Sequence, residues 1–264
     1  MKKFLLIAVL IAAMLSVTAY VACIATPLLG KTIKGSGNIV TKTVPAPDFD
    51  GIEASRAVKV VISDKVSDIR IEADDNLIDL VVVRAVKGKL EATLDQKVNN
   101  IQNGNVTITV PANGKIRSLD ASSASKIVSE VMLKADKFSI EASSAARIET
   151  AVEATSCTIE TSSASKVEAS VEAESCSLDA SSASKIILEG SAGTFRADMS
   201  SASKLDAEKF SAVNATIDTS SAANVSIDCS GKLTASASSG SSIRYSGDCQ
   251  TSLEKSSGGS IRKL

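Results

Sequence analysis

The chain contains no His and no Trp, and its only aromatic residues are five Phe and two Tyr. Without His, it lacks the commonest zinc ligand and the usual general base of hydrolases. So few aromatic rings argue against the stacking platforms that bind single-stranded nucleic acids. Basic charge is not in excess either: 29 Lys and Arg stand against 30 Asp and Glu, unlike in most nucleic-acid binders. The sequence therefore predicts no nucleic-acid partner, no cofactor and no metal site.

What the chain does contain is Ser, at 42 of its 264 positions. Apolar residues make up 44% of the sequence, so it is neither a disordered chain nor a collagen. This length gives room for one large domain or two smaller ones.

The N-terminal segment has the features of an export signal. Lys2 and Lys3 precede an uncharged stretch over residues 4–30, whose most apolar part, residues 4–15, has the length of a signal-peptide core. Cys23 follows Ala22, as the lipidated Cys of a bacterial lipoprotein follows a small residue. Three interpretations stay open: a lipoprotein signal with lipidation of Cys23, a secretory signal cleaved after residues 17–19, and an uncleaved anchor, since roughly 20 apolar residues span a bilayer. All three predict export to the outer membrane, the cell surface or the periplasm, with attachment to a membrane through the lipid or the anchor in two of them.

A Ser-rich heptamer, ASSASKI in its first copy, recurs eight times in the second half of the chain. The copies begin at Ala121, Ala142, Thr161, Ala180, Met199, Thr219, Ala237 and Lys255. Successive copies begin 18 to 21 residues apart, with a mean near 19. A fixed period of this length is typical of a solenoid, in which each repeat forms one coil stacked on the next.

The pattern of apolar residues within each repeat indicates the type of solenoid. With the first residue of each heptamer as position 0, apolar residues recur at positions −2, 0, +6 and +8, with polar residues between them. A period of two on both sides of a Ser-rich corner indicates strands. No stretch has a sustained helical period, a 19-residue coil has no room for a helical hairpin, and the pattern of leucine-rich repeats is absent. We therefore predict an all-β chain folded as a parallel β-helix, with strands of successive coils about 4.8 Å apart.

The N-terminal half has an irregular version of the same pattern. Residues 51–60 match the heptamer and its flanks in register, and further strands are predicted at 58–63, 69–73, 80–86, 90–94 and 106–110. The predicted organisation is a signal or anchor at 1–22, a linker at 23–37 and one β-helix domain at 38–264. Its irregular coils up to about residue 118 are predicted to cap the regular ones, because a solenoid must protect its end strands.

Four motifs resemble those of a known family. They are the GIEAS opening at 51–55 followed by VKV at 58–60, the IRIEAD strand at 69–74, the GKL turn at 88–90 and the recurring SSAS corners. Together they are similar to the head GIN domain family, described as a "putative auto-transporter adhesin" head domain and found in exported bacterial proteins. The resemblance spans about residues 38–262 and implies a right-handed parallel β-helix. It implies an adhesin-like role and transfers no catalytic residue.

Two charged columns flank the Ser corners. At position −1 an acidic column contains Asp120, Glu141, Glu160, Asp179, Asp198, Asp218 and Glu254. At position +5 a basic column contains Lys126, Arg147, Lys166, Lys185 and Lys204. Stacked like charges repel, so one interpretation is a solvated surface on which the two columns compensate each other. The other is a ligand face, although single carboxylates flanked by Lys make a poor Ca²⁺ cage.

The Ser pairs and the Cys residues each have a structural interpretation. A nucleophilic Ser needs an activating base and His is absent, so the repeated Ser fit a tight corner better than a catalytic centre. Cys157 and Cys176 share one phase and are predicted to stack, within reach of a disulfide. Cys229 and Cys249 fall two positions out of phase. Disulfides in an oxidising compartment and buried free thiols both remain open.

Two function classes follow, and a third is weaker. The first is an exported adhesin-like module whose repetitive face binds an extracellular or envelope ligand, a glycan or a protein, through many weak contacts. The second is a structural protein of the envelope that self-associates through exposed end strands. A polysaccharide lyase or hydrolase is the third, but it rests on analogy of fold alone, so the sequence predicts no enzyme.

Overall fold

Alternating apolar and polar residues along each repeat produce strands that bury every second side chain. The computed structural model describes residues 31–264; the predicted signal or anchor and Cys23 lie outside this range. Nineteen strands and one 3₁₀ turn at Ile78–Leu80 make up its regular structure. The strands are β1 (Lys31–Lys34), β2 (Ile39–Val44), β3 (Gly51–Ala54), β4 (Lys59–Ser63), β5 (Ile69–Asp74), β6 (Val81–Val86), β7 (Lys89–Leu94), β8 (Val98–Gln102), β9 (Val106–Pro111), β10 (Ser118–Ala121), β11 (Lys126–Ala142), β12 (Arg147–Thr161), β13 (Lys166–Ala180), β14 (Lys185–Met199), β15 (Lys204–Thr219), β16 (Asn224–Ala237), β17 (Ser242–Ser246), β18 (Gln250–Lys255) and β19 (Ser260–Lys263).

Parallel pairing of successive repeats builds a β-solenoid of about 8 turns. Strand β12 pairs with β13 in one continuous register that aligns Ile148 with Val167 and Ile159 with Leu178. Strands β11 through β16 stack in the same way, with local register shifts in the β11–β12, β14–β15 and β15–β16 pairs. All four of these side chains are buried. Fully burying an aliphatic side chain of this size stabilises the fold by about 1.5–3 kcal/mol, so the stacked columns form the core. The predicted parallel β-helix with coils of about 19 residues is confirmed.

Each regular coil has two faces, because the phase of burial changes once along each of β11 to β14. In β12 the buried residues are Thr150 and Val152 on one segment, and Cys157 and Ile159 on the next, with a bend between them. The first face comprises positions +5 to +10, after the Ser corner, and the second face comprises positions −4 to 0, before the next corner. Both faces direct apolar side chains into the core between them, so their polar side chains point outward on different sides.

The Ser corner is a two-residue turn of left-handed backbone. In the corner of β12–β13, Ser163 and Ala164 have φ of 52° and 60°, and the Ser165 N–H donates to the Ser162 carbonyl at 3.1 Å. Two successive positive φ values with this hydrogen bond are the features of a type I′ turn. The Ala164 N–H donates to the Ser182 carbonyl of the next coil at 2.9 Å, so the corners themselves form a ladder.

The buried Ser at position +4 links neighbouring coils. Its hydroxyl donates to the carbonyl at position 0 of the preceding coil: Ser125 to Ala54 and Ser165 to Ala142, both at 2.8 Å. Each such bond contributes about 0.5–1.5 kcal/mol and satisfies a hydroxyl that would be costly to bury alone. This accounts for a Ser where an apolar residue would otherwise point into the core.

In the N-terminal part, only some of the strands stack in parallel as solenoid coils. Strands β3 and β4 align with β10 and β11 as the sequence pattern predicted, but β2 runs antiparallel to β5, and β5 antiparallel to β9. Strand β6 folds back on β7 through Lys87 and Gly88, both at positive φ, which is a two-residue hairpin. These strands therefore correct the expectation of coils throughout. The predicted linker also differs, since Lys31–Lys34 within it form β1, paired with β8.

A buried carboxylate holds this N-terminal part together. Asp74 is fully buried and accepts hydrogen bonds from the backbone N–H groups of Gly37 at 2.6 Å and Asn105 at 2.7 Å. Hydrogen bonds to a charged acceptor are among the stronger ones in proteins, so Asp74 ties two loops of the cap to β5. Over residues 31–264, no helix is long and apolar enough to cross a membrane.

The corner conformation makes a prediction about Ala164. Its side chain is exposed, so a substitution there tests backbone conformation and not packing. Ala164→Val should lower the free energy of unfolding by about 2 kcal/mol, because a β-branched residue is strained at this φ. Ala164→Gly should leave it within about 1 kcal/mol of the parent, as Gly240 and Gly258 occupy the same corner position. Urea unfolding measures both; equal stabilities for the Val and Gly variants would contradict the left-handed corner.

Candidate functional site

The basic column is a continuous ladder on the first face. Register pairs Lys126 with Arg147, Arg147 with Lys166, and then Lys166 with Lys185. Lys204 follows at one end, and Lys59 of β4 precedes Lys126 at the other. The column thus comprises six cations on consecutive coils, about 4.8 Å apart. The sequence pattern aligns Lys59 with the register of the heptamer, but Lys59 was not predicted to belong to the basic column.

Carboxylates at position +7 neutralise two of these cations. Lys126 Nζ lies 2.6 Å from Glu149 Oε1, and Lys166 forms an ion pair with Glu168. The hydrogen bond from Lys166, partly offset by burial, lowers the pKa of Glu168. Within the described residues, the other four cations form no ion pair within 4.0 Å. They are Lys59, Arg147, Lys185 and Lys204.

The acidic column lies on the second face and is longer than predicted. Asp120, Glu141, Glu160, Asp179, Asp198 and Asp218 are paired one above the next. Glu53 and then Glu91 extend the column below Asp120. The sequence did not reveal Glu91, because β7 follows β3 and β4 in the chain but stacks beneath β3.

Cations neutralise this column only towards its two ends. Lys89 lies 3.7 Å from Asp120, and Arg196 lies 2.8 Å from Asp198 and 3.7 Å from Asp218. Glu141, Glu160 and Asp179 in the middle form no ion pair among the described residues. Burial, and then the charge of Glu141, raises the pKa of Asp120. The middle of the second face is therefore a strip of uncompensated negative charge.

The two columns do not compensate each other. In the part of the chain that the structure describes, no ion pair joins a residue at position −1 to one at +5. The core lies between their faces, and face-to-face sheets pack about 10 Å apart, comparable to the Debye length in physiological salt. The interpretation in which the two columns compensate each other is therefore wrong. Instead, the two faces differ in charge, and each column forms ion pairs with other residues on its own face.

A shallow groove runs between the acidic column and the first Ser of each corner. One stretch of about 190 Å³ is lined by carboxylates and hydroxyls that include Glu141, Glu160, Ser143 and Ser162. A second, of about 270 Å³, continues along Asp179, Asp198 and Asp218. Among residues 31–264, no group of three or more Cys, Asp or Glu is arranged to hold a metal ion. The groove offers hydrogen-bond acceptors and donors in regular alternation.

The Cys residues lie in two pairs. Cys157 and Cys176 are paired in register, as predicted, and are buried. The hydrogen bond between the two thiols, and then burial, raise the pKa of Cys176. Cys229 and Cys249 come together at the bend of the last coils, where burial and the neighbouring Cys249 raise the pKa of Cys229 to about 11. All four are free thiols in the structure, so a disulfide in either pair stays a prediction for an oxidising compartment.

Comparisons with known proteins agree with this architecture. The family model described as "Putative auto-transporter adhesin, head GIN domain" matches residues 48–249. A putative adhesin from Parabacteroides merdae has a TM-score of 0.80 at 18% identity over 88% of this chain and 99% of its own, and one from Parabacteroides distasonis has 0.79 at 16% over 89% and 100%. A putative lipid binding protein from Parabacteroides distasonis has 0.73 at 16% over 89% and 100%. No curated protein matches the sequence. At these identities the solved structures show a shared fold.

The raised pKa of Asp120 predicts how its removal depends on pH. Below its ordinary pKa of 3.8 the carboxyl is neutral in both the folded and the unfolded chain, so its ionisation does not affect the free energy of unfolding. As pH rises through 3.8 and then through the higher native value, the charged form is penalised only in the folded chain. The free energy of unfolding of Asp120→Asn, minus that of the parent, should therefore be more positive at about pH 7 than at about pH 3.

Unfolding free energies at the two pH values measure this difference. Asp136→Asn is the control, because Asp136 is exposed and reports the general effect of removing one carboxylate. The same dependence on pH in both variants would contradict a local effect at Asp120.

Proposed function

Since the chain belongs to the "Putative auto-transporter adhesin, head GIN domain" family, we propose that it is an exported adhesin-like module that binds a glycan or protein ligand through the basic column of its first face. The observation that supports this most is the basic column, where six cations follow one another on consecutive coils. The family is described by adhesion and not by a reaction, which fits a binding module without a catalytic centre.

The mechanism of binding would be multivalent. An exposed ion pair contributes at most about 1 kcal/mol, so one Lys of the column holds a ligand only weakly. A ligand with its own repeating charges meets several cations at once, and each contact after the first forms at high effective concentration. Because the coils fix the spacing of the cations, little order has to be imposed on the protein when the ligand binds.

Export belongs to the same proposal. The uncharged segment after Lys2 and Lys3 and the position of Cys23 support it, and a lipid on Cys23 would hold the solenoid at a membrane with its charged faces free. The mass of the N-terminal peptide of the mature protein distinguishes lipidation at Cys23 from the other two interpretations.

A structural role in the envelope is the second candidate. It is supported by β18, whose six residues are all exposed and which pairs only with β16 among the described strands. An exposed strand edge is a template for pairing with another chain. The charges of Glu254 and Lys255 on this edge oppose such pairing, which makes adhesion the stronger candidate.

An array of glycans and matrix proteins tests the adhesin proposal. The parent should bind a subset of ligands, and Lys166→Glu/Lys185→Glu/Lys204→Glu should weaken that binding by about tenfold or more, because three attractive contacts become repulsive. The matched control, Glu141→Lys/Glu160→Lys/Asp179→Lys, reverses as many charges on the other face and should not weaken it. No binding by the parent, together with filaments that grow with protein concentration, would favour the structural role instead.

A further inference from the structure

The unpaired cations of the basic column have a regular spacing of their own. Glu149 and Glu168 neutralise Lys126 and Lys166, which lie on alternate coils of the ladder. The cations left free on the coils between them are Lys59, Arg147 and Lys185, with Lys204 on the next coil. Over the first five coils of the column, free positive charge therefore recurs at every second coil, a spacing of about 10 Å. Lys204 adds a free charge on the sixth coil.

We infer that the basic column binds a linear anionic polysaccharide with one negative charge per disaccharide, an inference that rests on the proposed binding function. Two coils together are about as long as one extended disaccharide unit. A polymer with this repeat places each charge beside a free cation and its uncharged sugar beside a neutralised one. A polymer with a charge on every sugar would also place charges beside Lys126 and Lys166, whose positive charges Glu149 and Glu168 already neutralise.

The shape of the first face favours an extended ligand over a compact one. The column runs about 24 Å over its six coils, with one cation on each coil. Beside it, the corners present small exposed residues such as Ser163 and Ser182, whose hydroxyls can bond to sugar hydroxyls. With so few aromatic rings in the chain, charge and hydrogen bonds would supply the affinity that stacking supplies elsewhere.

The acidic column does not oppose such a ligand strongly. It lies on the second face, across a core about 10 Å thick, where physiological salt screens most of its repulsion. Near the bend, Glu189 is paired with Lys209 and Glu153 with Lys134. Glu172 and Asp206 form no ion pair among the described residues, but at positions +11 and +7 they lie farther from the Ser corner than the column does. Anionic polymer can therefore follow the basic column along the Ser corner.

The test compares three polymers of matched length by calorimetry. They are hyaluronan, with one carboxylate per disaccharide, polygalacturonate, with one per monosaccharide, and uncharged dextran. The parent should bind hyaluronan, more weakly as salt rises, should bind polygalacturonate no more tightly, and should not bind dextran. Arg147→Gln/Lys185→Gln should weaken hyaluronan binding by about tenfold, whereas Lys134→Gln/Glu153→Gln, which removes an exposed ion pair outside the column without changing net charge, should leave it within about twofold.

A second variant tests the spacing itself. Glu149→Gln/Glu168→Gln frees all six cations, about 4.8 Å apart, and should change the preference from hyaluronan to polygalacturonate. If the parent already prefers polygalacturonate, or if this variant does not change the preference, the spacing inference is overturned. If no anionic polymer binds while the array yields another ligand, the inference fails and the proposed function stands. If nothing binds in either experiment, both fail.

Discussion

In-register stacking of the coils is the constraint on which the rest of the structure depends. Parallel strands pair residue by residue, so any position kept in the repeat becomes a straight column, whether its residue is buried or exposed. Ile148 above Val167 forms core by this rule, and Lys166 above Lys185 forms a charged ladder by the same rule. The Ser corner preserves the register, because its left-handed turn and its buried Ser both bond to neighbouring coils.

Stacking identical charges is unfavourable, and the molecule offsets that repulsion within each face. On the first face, Glu168 neutralises Lys166 two residues before it, and Glu149 neutralises Lys126 on the neighbouring coil. On the second face, Arg196 serves two carboxylates at once, while Glu141 and Glu160 remain without a cation among the described residues. The result is a near-neutral protein with two faces of different charge, which its net charge alone does not reveal.

The sequence predicts the regular coils because local pattern and long-range pairing have the same period there. A buried residue such as Ile159, the corner at Ser163 and the stacking of Cys157 on Cys176 can all be located from the spacing of the heptamers. The predicted strands at 58–63, 69–73 and 106–110 lie within about one residue of β4, β5 and β9.

The features that the sequence does not predict are those that depend on the order in which the strands stack. Strand β7 lies beneath β3 although about 35 residues separate them in the chain, so Glu91 could not be assigned to the acidic column. Strand β2 lacks the heptamer, and its antiparallel pairing with β5 depends on contacts across the cap. Positions +5 and +7 lie on the same side of a strand, but the partners of the cations were missed because +7 is not a repeated carboxylate: Val128 and Ile187 occupy it on other coils.

Distances between spin labels on the corners test the stacking most directly. Non-canonical amino acids allow labelling at exposed corner positions while the native Cys are retained. From Ser123, the account predicts about 19 Å to Ser201, four coils away, and about 29 Å to Ser239, six coils away, before the length of the labels is included. Distances that do not increase in proportion to the number of coils would contradict the single stack on which both the core and the charged columns depend.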